Sequence, residues 1–299
     1  KKSLFFWAIS LGEAYEPYGK NGKLYALKLK IARKLIFSKW QEALGGHLEF
    51  MLSGSAPMQD RLIRVFLAAG IPVFEGYGMT ESSPAITVND LRNKGLKIGT
   101  VGKPLEGIDV KIAADGEILV KGSIVMLGYY KNEEMTQKTV VNGYLHTGDI
   151  GEIDEEGFLK ITDRKKEMFK TSGGKYIAPA VLENELKQSR FIEQVMIIGE
   201  SEKMPAALIQ INFDFAKEWA LRKKLPVNNI ITHERFINRI QKEIDFYNQR
   251  FGKWEQIKKF EITPDEWSVE EGLLTPTMKM KRKIIKEKYK NLYQKIFNS

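Results

Sequence analysis

Residues 48–80 contain two strand-like segments separated by one helix-like segment, and this order restricts the fold more than any other feature of the chain. HLEFMLSGSAP and IPVFEGYGMT are each a short apolar run that ends in small or Gly-rich residues. Between them, PMQDRLIRVFLAAG has helical spacing, with Pro57 expected to open the helix and Gly70 to end it. Strands joined by one helix pair in parallel, so we predict part of a parallel α/β sheet.

The carboxyl ends of these predicted strands are the first candidates for a binding site. Ligands of parallel α/β sheets bind beyond the carboxyl ends of the strands, and the segments SGSAP and EGYGMTES both fall there. Upstream, residues 24–44 lack Gly and Pro and space their apolar residues by three and four, which predicts a long amphipathic helix.

The character of the chain changes twice after this α/β layer, which ends at about residue 97. Residues 98–162 hold short strand-like segments separated by Gly and Asp turns, which predicts a β-rich region built as a small barrel. From residue 179, helix-like and strand-like segments alternate in an α+β pattern, and KMKRKIIKEKYKNLYQKIF closes the chain as one basic helix. The predicted fold class is therefore α/β plus α+β.

The distribution of charge marks a boundary near residue 163. Residues 1–162 carry 20 basic and 19 acidic side chains, a net charge of +1, whereas residues 163–299 carry 27 and 19, a net charge of +8. We therefore predict two domains, 1–162 and 163–299, and an anionic partner for the second. A nucleotide, coenzyme A, a nucleic acid or an anionic membrane would each satisfy this charge.

Composition argues against several kinds of chemistry. The chain has no cysteine, which excludes disulfides, Cys-based metal sites and a Cys nucleophile, and which suits a cytoplasmic location. Its histidines, His47, His146 and His233, are far apart in sequence and form no His-x-x-x-His pair, which argues against a zinc centre. No apolar run reaches the length of a membrane span, and the first residues do not have the pattern of a signal peptide.

GYGMTES, residues 76–82, is a candidate nucleotide loop. Its two glycines would let the backbone approach a flat or phosphorylated ligand closely. Tyr77 offers an aromatic face, Thr80 a hydroxyl, and Glu81 a carboxylate of the kind that holds Mg²⁺. An ordinary turn at a strand end, with a solvated Glu, has the same residues, so the motif alone leaves both interpretations open.

Three further motifs lie downstream. GYLHTGDIGEID (143–154) places Asp149 between glycines, either to accept hydrogen bonds from ribose hydroxyls or to form an ordinary β-turn. TSGGK (171–175) lacks the spacing and the following hydroxyl of a nucleotide-triphosphate loop. LLTPTMKMKR (273–282) places Lys279 after a turn, either as a mobile positive charge or as the start of a solvated basic helix.

Taken in order and spacing, five motifs resemble the adenylate-forming acyl-CoA synthetase superfamily: SGSAP, GYGMTES, GYLHTGDIGEID, DRKKEMFKTSGGKYIAP and LTPTMKMKR. The segments TSGGKYIAP and LTPTMK are most similar to its long-chain fatty-acid–CoA ligases, and the resemblance covers the chain from about Leu48 onward. It implies an enzyme that uses ATP and Mg²⁺ to convert a fatty acid into an acyl-adenylate with release of pyrophosphate. The acyl group would then pass to coenzyme A, with release of AMP.

The resemblance also implies roles for individual residues. Nucleotide-binding roles fall on Gly54, Ser55, Ala56, Pro57, Gly76, Tyr77, Gly78, Thr80, Asp149 and Arg164. Among these, Tyr77 would stack on adenine and Asp149 would bind the ribose hydroxyls. The catalytic residues would be Lys279, Glu81 and Thr80, with Glu81 as the ligand of Mg²⁺ and Thr80 at the α-phosphate. Many relatives have Gly before the catalytic lysine, whereas this chain has Met278, which leaves Lys281 as a competitor.

A mobile lid after a hinge at Asp163 is a further implication of the resemblance. The lid would present Lys279 for adenylation and would then rotate to present a loop to coenzyme A. The loop residues are Ser172, Gly173 and Gly174. Their small side chains would let the pantetheine arm pass close to the backbone.

One expected part of the superfamily has no counterpart in this sequence. The Ser/Thr/Gly-rich loop that cradles the β- and γ-phosphates of ATP lies upstream of the adenine segment, and nothing in residues 1–53 resembles it. The chain therefore resembles the C-terminal half of a ligase, and we expect this half alone to be inactive in adenylation.

Alternative functions remain beside the fatty-acid ligase. A ligase of the same superfamily that acts on an aryl acid, a short-chain acid or a carrier protein would carry the same motifs. A basic nucleic-acid-binding module is disfavoured, because the chain has no aromatic-interleaved RNA motif and no helix-turn-helix signature. The sequence does not determine the oligomeric state. The final helix either contacts an anionic membrane peripherally or packs its apolar face on the lid. That face consists of Ile284, Ile285, Tyr289, Leu292, Tyr293 and Ile296.

Overall fold

The computed structural model of the chain, which describes residues 2–298, divides into the units Lys1–Thr162 and Asp163–Ser299. In the first unit, the helices of the α/β layer are α1 (Lys2–Glu13), α2 (Gly22–Ala32), α3 (Ser38–Ala43) and α4 (Asp60–Ala68). Its strands are β1 (Met51–Ser53), β2 (Val73–Gly78), β3 (Ala85–Val88) and β4 (Lys103–Pro104).

The strand order of this layer is β1-β2-β3-β4. β1 and β2 pair in parallel across the crossover helix α4, as the sequence predicts, and the remaining pairs are antiparallel. The prediction that Pro57 opens α4 is wrong, since the helix begins at Asp60. The reason is that Met58 donates its backbone N–H to the side chain of Glu75 instead of entering a helical turn.

The predicted long helix at residues 24–44 is continuous but not uniform. A π-helical segment, Arg33–Phe37, separates α2 from α3. Within it, the Arg33 guanidinium donates to the carbonyl oxygen of Ala68 at 2.7 Å, at the last residue of α4. This bond satisfies a helix-terminal carbonyl that has no partner inside α4 and so ties the two helices together.

The β-rich region follows, with β5 (Asp109–Ile112), β6 (Glu117–Lys121), α5 (Glu133–Thr139), β7 (Val140–Val141), β8 (Tyr144–Ile153) and β9 (Leu159–Arg164). Its strand order is β5-β6-β8-β7, with β9 also paired to β8. Among the described residues, these ladders form an open, branched sheet and not the closed barrel that the turn spacing suggests. Its inward side chains, including Ile118, Val120 and Leu145, share a core with Tyr77 and Ile86 of the α/β layer.

The second unit is a three-layer α+β structure. Its elements are β10 (Phe169–Lys170), β11 (Tyr176–Ile177), α6 (Pro179–Leu186), β12 (Ile192–Ile198), β13 (Ala206–Ile211), α7 (Phe213–Arg222), α8 (Glu234–Asn248), β14 (Phe260–Ile262), α9 (Arg282–Lys288) and α10 (Lys290–Asn298). The sheet has the order β12-β13-β14. Every residue of β13 is buried, because α6, α7 and α8 cover one face while α9 and α10 cover the other.

The predicted single C-terminal helix is broken into α9 and α10 at Tyr289. This residue has φ −107° and ψ 30°, outside the helical range, and its ring is buried against Trp267. The predicted packing of the apolar face on this unit is confirmed for Ile285, Tyr289 and Ile296, but Ile284 lies outside the core at 47% exposure.

Among residues 2–298, no helix is both long and apolar enough to cross a bilayer.

Candidate functional site

Tyr77 and Asp149, which belong to two different motifs, are in direct contact. The Tyr77 hydroxyl donates to Asp149 Oδ2 at 2.7 Å, although the residues are 72 positions apart. Tyr77 lies at the end of β2 and Asp149 in the middle of β8, and they are 8% and 7% exposed. The backbone N–H of Asp149 donates to Thr147 Oγ1 at 3.1 Å. The two residues predicted to hold adenine and ribose are thus brought together.

The glycines of GYGMTES are required by the packing of the chain itself. A Cβ at Gly78 would lie 1.5 Å from the carbonyl oxygen of Pro84, and one at Gly76 would lie 3.2 Å from that of Thr87. Real Cβ atoms do not approach backbone this closely at Gly78, so β2 and β3 can meet there only through glycine. The close approach of β2 and β3 therefore explains why glycine is present at these positions, and the predicted approach of a ligand is not needed to account for it.

The segment after β2 exposes Thr80 and fixes Glu81. Thr80–Ser82 forms one 3₁₀ turn, which the buried Ser82 hydroxyl stabilises by accepting from the Met79 N–H at 3.0 Å. Glu81 Oε1 accepts a hydrogen bond from the Tyr129 hydroxyl at 2.9 Å. Burial raises the pKa of Tyr129, which keeps this donor protonated. Neither Ser82 nor Tyr129 was identified from the sequence.

The donor set at Glu81 fits a magnesium ion that is held mainly by substrate. Within residues 2–298, no cluster of three or more acidic or His side chains is arranged to hold a metal. Mg²⁺ commonly binds through one or two carboxylates together with substrate phosphates and water. A single, partly buried carboxylate such as Glu81 is suited to that mode and not to a metal site made of protein alone.

Glu75 is a buried carboxylate beside this turn that sequence reasoning missed. It is 7% exposed, and its Oε1 accepts the Met58 N–H at 2.9 Å. Burial raises the pKa of Glu75 to about 7, and the nearby negative charge of Asp60 acts in the same direction. The alternation of buried and partly buried residues along β2 could have revealed the burial of Glu75, since Glu75 occupies an inward position between the buried residues Val73 and Tyr77.

We expect Glu75→Gln to make the first unit more stable at pH 8 than the unchanged protein. The folded-state pKa of about 7 exceeds the unfolded value of 4.5, so the folded state binds more protons and stability falls as the pH rises from 4.5 to 7. The loss is about 3 kcal/mol, and Gln, which still accepts from Met58, avoids it. Urea unfolding at pH 5 and pH 8 measures the difference. The exposed Glu106, changed to Gln, is the control, and a pH-independent difference for Glu75→Gln would contradict the expectation.

The segment from Gly54 to Pro57 lies at the carboxyl end of β1, as predicted. All four residues are exposed, and Ser55 has the left-handed φ of +67°. In the ladder, Ser53 pairs with Glu75, so this segment starts beside the strand that carries Tyr77. The structure therefore places SGSAP and GYGMTES at the same edge of the sheet.

In the second unit, residues 171–175 form the tip of the β10–β11 hairpin. The Thr171 N–H donates to the Lys175 carbonyl at 2.9 Å, and Gly174 has φ +79°, which favours glycine. Ser172 donates its N–H to the carbonyl of Glu202 at 2.8 Å. The predicted loop of Ser172, Gly173 and Gly174 is therefore exposed, and the backbone of Glu202 holds it on one side.

Asp163, the predicted hinge, is the first residue of the second unit and is 2% exposed. Its Oδ1 accepts the N–H of Arg164 at 2.6 Å, and its Oδ2 accepts the N–H of Ala180, in the first turn of α6, at 3.0 Å. Burial raises the pKa of Asp163 to about 6 despite these two hydrogen bonds. The side chain of Arg164 lies on the surface.

The structure distinguishes Lys279 from Lys281. Lys279 is exposed in a tight turn, in which its N–H donates to Thr275 Oγ1 at 3.0 Å. Lys281 is partly buried at the base of the turn, where its N–H donates to the carbonyl of Leu273 at 2.9 Å. Met278, just before Lys279, has φ +61°, a conformation that costs a side chain about 1–2 kcal/mol.

A buried ion-pair network holds the base of the Lys279 turn. Arg282 contacts Glu183 Oε2 at 2.6 Å and Glu167 Oε2 at 3.1 Å. Glu183 is 4% exposed, and its Oε1 accepts the Ile197 N–H at 2.8 Å. Burial raises the pKa of Glu183, and the charge of Arg282 opposes this shift. Sequence reasoning missed the network, since its members are spread over residues 167–282.

Models of known protein families match a segment of each unit of the chain. The model described as AMP-binding enzyme matches residues 22–130, and the model of the AMP-binding enzyme C-terminal domain matches residues 167–299. The chain belongs to the AMP-binding enzyme family. Tyr77 and Glu81 of this AMP-binding enzyme chain lie in the first match, and Lys279 lies in the second.

Curated relatives of this AMP-binding enzyme chain include fatty-acid ligases. Long-chain-fatty-acid–CoA ligase FadD15 of Mycobacterium bovis is 38% identical over 295 residues, which cover 97% of this chain and 49% of that protein. Long chain acyl-CoA synthetase 4 of Arabidopsis thaliana is 31% identical over 304 residues, which cover 94% of this chain and 45% of that protein. The chain spans about half the length of the curated relatives it matches.

Solved structures share the fold and confirm the predicted fold class. O-succinylbenzoate coenzyme A synthetase of Bacillus subtilis, in complex with AMP, has a TM-score of 0.60 and 27% identity, covering 78% of this chain and 45% of that chain. The adenylation domain of a carboxylate reductase from Mycobacterium chelonae has a TM-score of 0.70 and 20% identity, covering 100% of this chain and 45% of that chain. The second likeness, at its lower identity, is one of fold alone.

Proposed function

We propose that this chain supplies the adenosine-binding edge and the lid of an AMP-forming long-chain fatty-acid–CoA ligase. The contact between Tyr77 and Asp149 carries the proposal, because it joins two motifs that the resemblance assigns to one nucleotide. The identity of 38% with a long-chain-fatty-acid–CoA ligase supports the choice of substrate class. Adenylation of a fatty acid and transfer to coenzyme A are the two half-reactions.

The nucleotide would lie at the sheet edge that carries β1 and β2. Asp149 would accept hydrogen bonds from the ribose hydroxyls, and Tyr77, held by Asp149, would present its ring to adenine. Gly54, Ser55, Ala56 and Pro57 would line the adenine pocket. Thr80, on its exposed turn, would donate to the α-phosphate. Glu81 would hold Mg²⁺, which when bound neutralises phosphate charge.

The lid would supply a different group to each half-reaction. Lys279 would place its ammonium beside the carboxylate and the α-phosphate as negative charge develops there. Asp163, at the first residue of the second unit, would act as the hinge, and Arg164 would add a nucleotide contact. After rotation, the hairpin tip with Ser172 and Gly173 would guide the pantetheine arm of coenzyme A.

The full-length protein is expected to catalyse pyrophosphate exchange that depends on a long-chain fatty acid, and Lys279→Ala is expected to slow this exchange about 100-fold or more. Transfer from preformed acyl-adenylate to coenzyme A should change only a few-fold, because Lys279 serves the first half-reaction. Lys281→Ala is the matched control and should leave both rates within a few-fold. Equal slowing of both half-reactions by Lys279→Ala would contradict the role of this lysine.

A ligase for a different carboxylic acid is the second candidate. The similarity to o-succinylbenzoate coenzyme A synthetase favours it, since that protein has the same fold and a non-fatty acid in its name. Exchange measured with aryl, short-chain and long-chain acids separates the candidates. Activity with an aryl or short-chain acid but with no long-chain acid would overturn the fatty-acid assignment.

A further inference from the structure

β8 departs from regular pairing at the point where it carries Asp149. The register of β6 with β8 shifts there, and the pairs on either side of the shift are Glu117 with Ile150 and Leu119 with His146. One β6 residue, Ile118, therefore faces the β8 residues 147–149, which form a β-bulge. Bulges occur often beside active sites, where they direct a side chain that regular pairing would not place. The carboxylate that we propose for ribose binding is thus carried by a bulge.

Side chains hold the backbone of this bulge. The N–H of Gly148 donates to Glu117 Oε1 at 2.9 Å, and the N–H of Asp149 donates to Thr147 Oγ1 at 3.1 Å. The Thr147 hydroxyl donates in turn to the carbonyl oxygen of Ile118 at 2.8 Å. Gly148 has φ +72°, in the left-handed region that favours glycine, so the chain leaves extended geometry immediately before Asp149.

Glu117, the first residue of β6, is buried against the bulge with 5% of its surface exposed. While Oε1 accepts from Gly148, Oε2 lies 3.1 Å from His146 Nδ1. A buried carboxylate needs such partners, because a charge that is buried without hydrogen bonds destabilises the fold. Glu117 therefore joins the residue before the bulge to the middle residue of the bulge.

The position of the Asp149 carboxylate depends on this backbone. Asp149 is 7% exposed, and its Oδ2 already accepts the Tyr77 hydroxyl at 2.7 Å. For the same carboxylate to accept from ribose hydroxyls as well, it must be held to within about 0.5 Å of the productive geometry. A movement of residues 147–149 would displace the carboxylate even if the pairs on either side of the bulge stayed intact.

We propose that Glu117 and Thr147 are positioning residues that fix the bulge and so direct the Asp149 carboxylate at the ribose hydroxyls of the nucleotide. This inference rests on the proposed function, in which Asp149 binds the ribose. Glu117 and Thr147 act through the backbone of Gly148 and Asp149, to which they are hydrogen-bonded. Their contribution is therefore specific to the ribose hydroxyls, and adenine and phosphate binding should not depend on it.

Titration calorimetry of the full-length protein with AMP and with 2′,3′-dideoxyadenosine monophosphate measures the ribose preference, the ratio of the two Kd values. The unchanged protein should bind AMP about 100-fold more tightly, because each hydrogen bond to a charged acceptor contributes about tenfold or more. Glu117→Met should lower this preference about tenfold or more, since Met has a similar size but does not accept from Gly148. The ratio is insensitive to the lost charge, because both nucleotides carry the same phosphate.

Two matched variants make the result specific to the hydrogen bond. Glu117→Gln still accepts from Gly148 and should keep the preference within about threefold of the unchanged protein. Glu152→Met makes the same change as Glu117→Met at an exposed position of β8, where Glu152 lies 3.3 Å from Lys160, and should keep the preference within about twofold. Equal weakening of both nucleotides by Glu117→Met, or a preference that Gln does not restore, would overturn the positioning role.

Thr147→Val tests the other contact of the bulge and keeps the shape of the side chain. It removes the acceptor of the Asp149 N–H and should lower the ribose preference about tenfold. A preference that Thr147→Val leaves unchanged would overturn the role of the bulge, even if Glu117→Met does not fold.

Asp149→Ala separates this inference from the proposed function. It should reduce the ribose preference to less than about fivefold, because it removes the acceptor itself. If Asp149→Ala keeps the preference, the ribose contact that we propose fails, and the positioning role fails with it. If Asp149→Ala removes the preference while Glu117→Met and Thr147→Val keep it, the ribose contact stands and only the positioning role is overturned.

Discussion

Gly78→Ala is expected to unfold the first unit or to destabilise it by more than about 4 kcal/mol. The added Cβ would lie 1.5 Å from the Pro84 carbonyl oxygen and 2.6 Å from its carbon. Both obstacles are backbone atoms in the turn that joins β2 to β3, so no side chain can move aside to make room. Since Tyr77 precedes Gly78 and pairs with Asp149, the change should also abolish the AMP binding that we propose for this site.

Urea unfolding followed by hydrogen exchange and mass spectrometry measures this effect, because peptides of the two units are read separately. Gly54→Ala is the matched control: its Cβ would lie 3.6 Å from the Gly76 carbonyl oxygen, an ordinary contact. We expect that variant to stay within about 1 kcal/mol of the unchanged protein. If Gly78→Ala were as stable as Gly54→Ala, the tight packing of β2 on the following turn would be refuted.

Arg282→Met is expected to cost the second unit about 3–5 kcal/mol, because it leaves the buried Glu183 without its cation. Glu183 is 4% exposed and cannot recover the lost interaction from water. Since Arg282 is also the first residue of α9, three positions after Lys279, the turn that carries this lysine should loosen as well. Increased hydrogen exchange at residues 275–281 measures that consequence.

Two further variants test whether the loss comes from the buried ion pair. Lys288→Met removes a cation from an exposed pair on the same helix and should cost less than about 1 kcal/mol. The double change of Arg282→Met with Glu183→Gln should recover part of the loss, since the Gln side chain still accepts from Ile197 and no charge is left buried. Additive losses in the double variant would exclude a coupled pair.

Local patterns predicted the elements of this chain better than they predicted its contacts. The parallel pairing of β1 and β2 follows from apolar runs and one intervening helix, all within residues 48–80. The contact of Tyr77 with Asp149 joins different sheets, and Arg282 pairs with a carboxylate 99 positions away. Such pairs depend on how the elements pack, and no spacing in the sequence encodes them.

The wrong predictions also have their physical cause in contacts that depend on how the elements pack. Pro57 has the usual preference for a first helical turn, but a hydrogen bond from Met58 to Glu75 outweighs it and delays α4 to Asp60. The final basic segment has helical spacing throughout, but burial of Tyr289 against Trp267 breaks it. Exposed positions such as Lys279 and Ser172 were predicted as candidates because their motifs are local.

The pairing of β13 with β14 has a consequence for how the second unit folds. β12 and β13 are neighbours in the chain and pair as a hairpin, which forms quickly because the loop between them is short. β14 pairs in parallel with β13 only after the chain has passed through α7 and α8, so this contact closes a long loop and is entropically costly. We therefore expect β14, and with it the anchorage of α10, to join the sheet late. Newly made protein would then expose one edge of β13 until residues near 260 arrive.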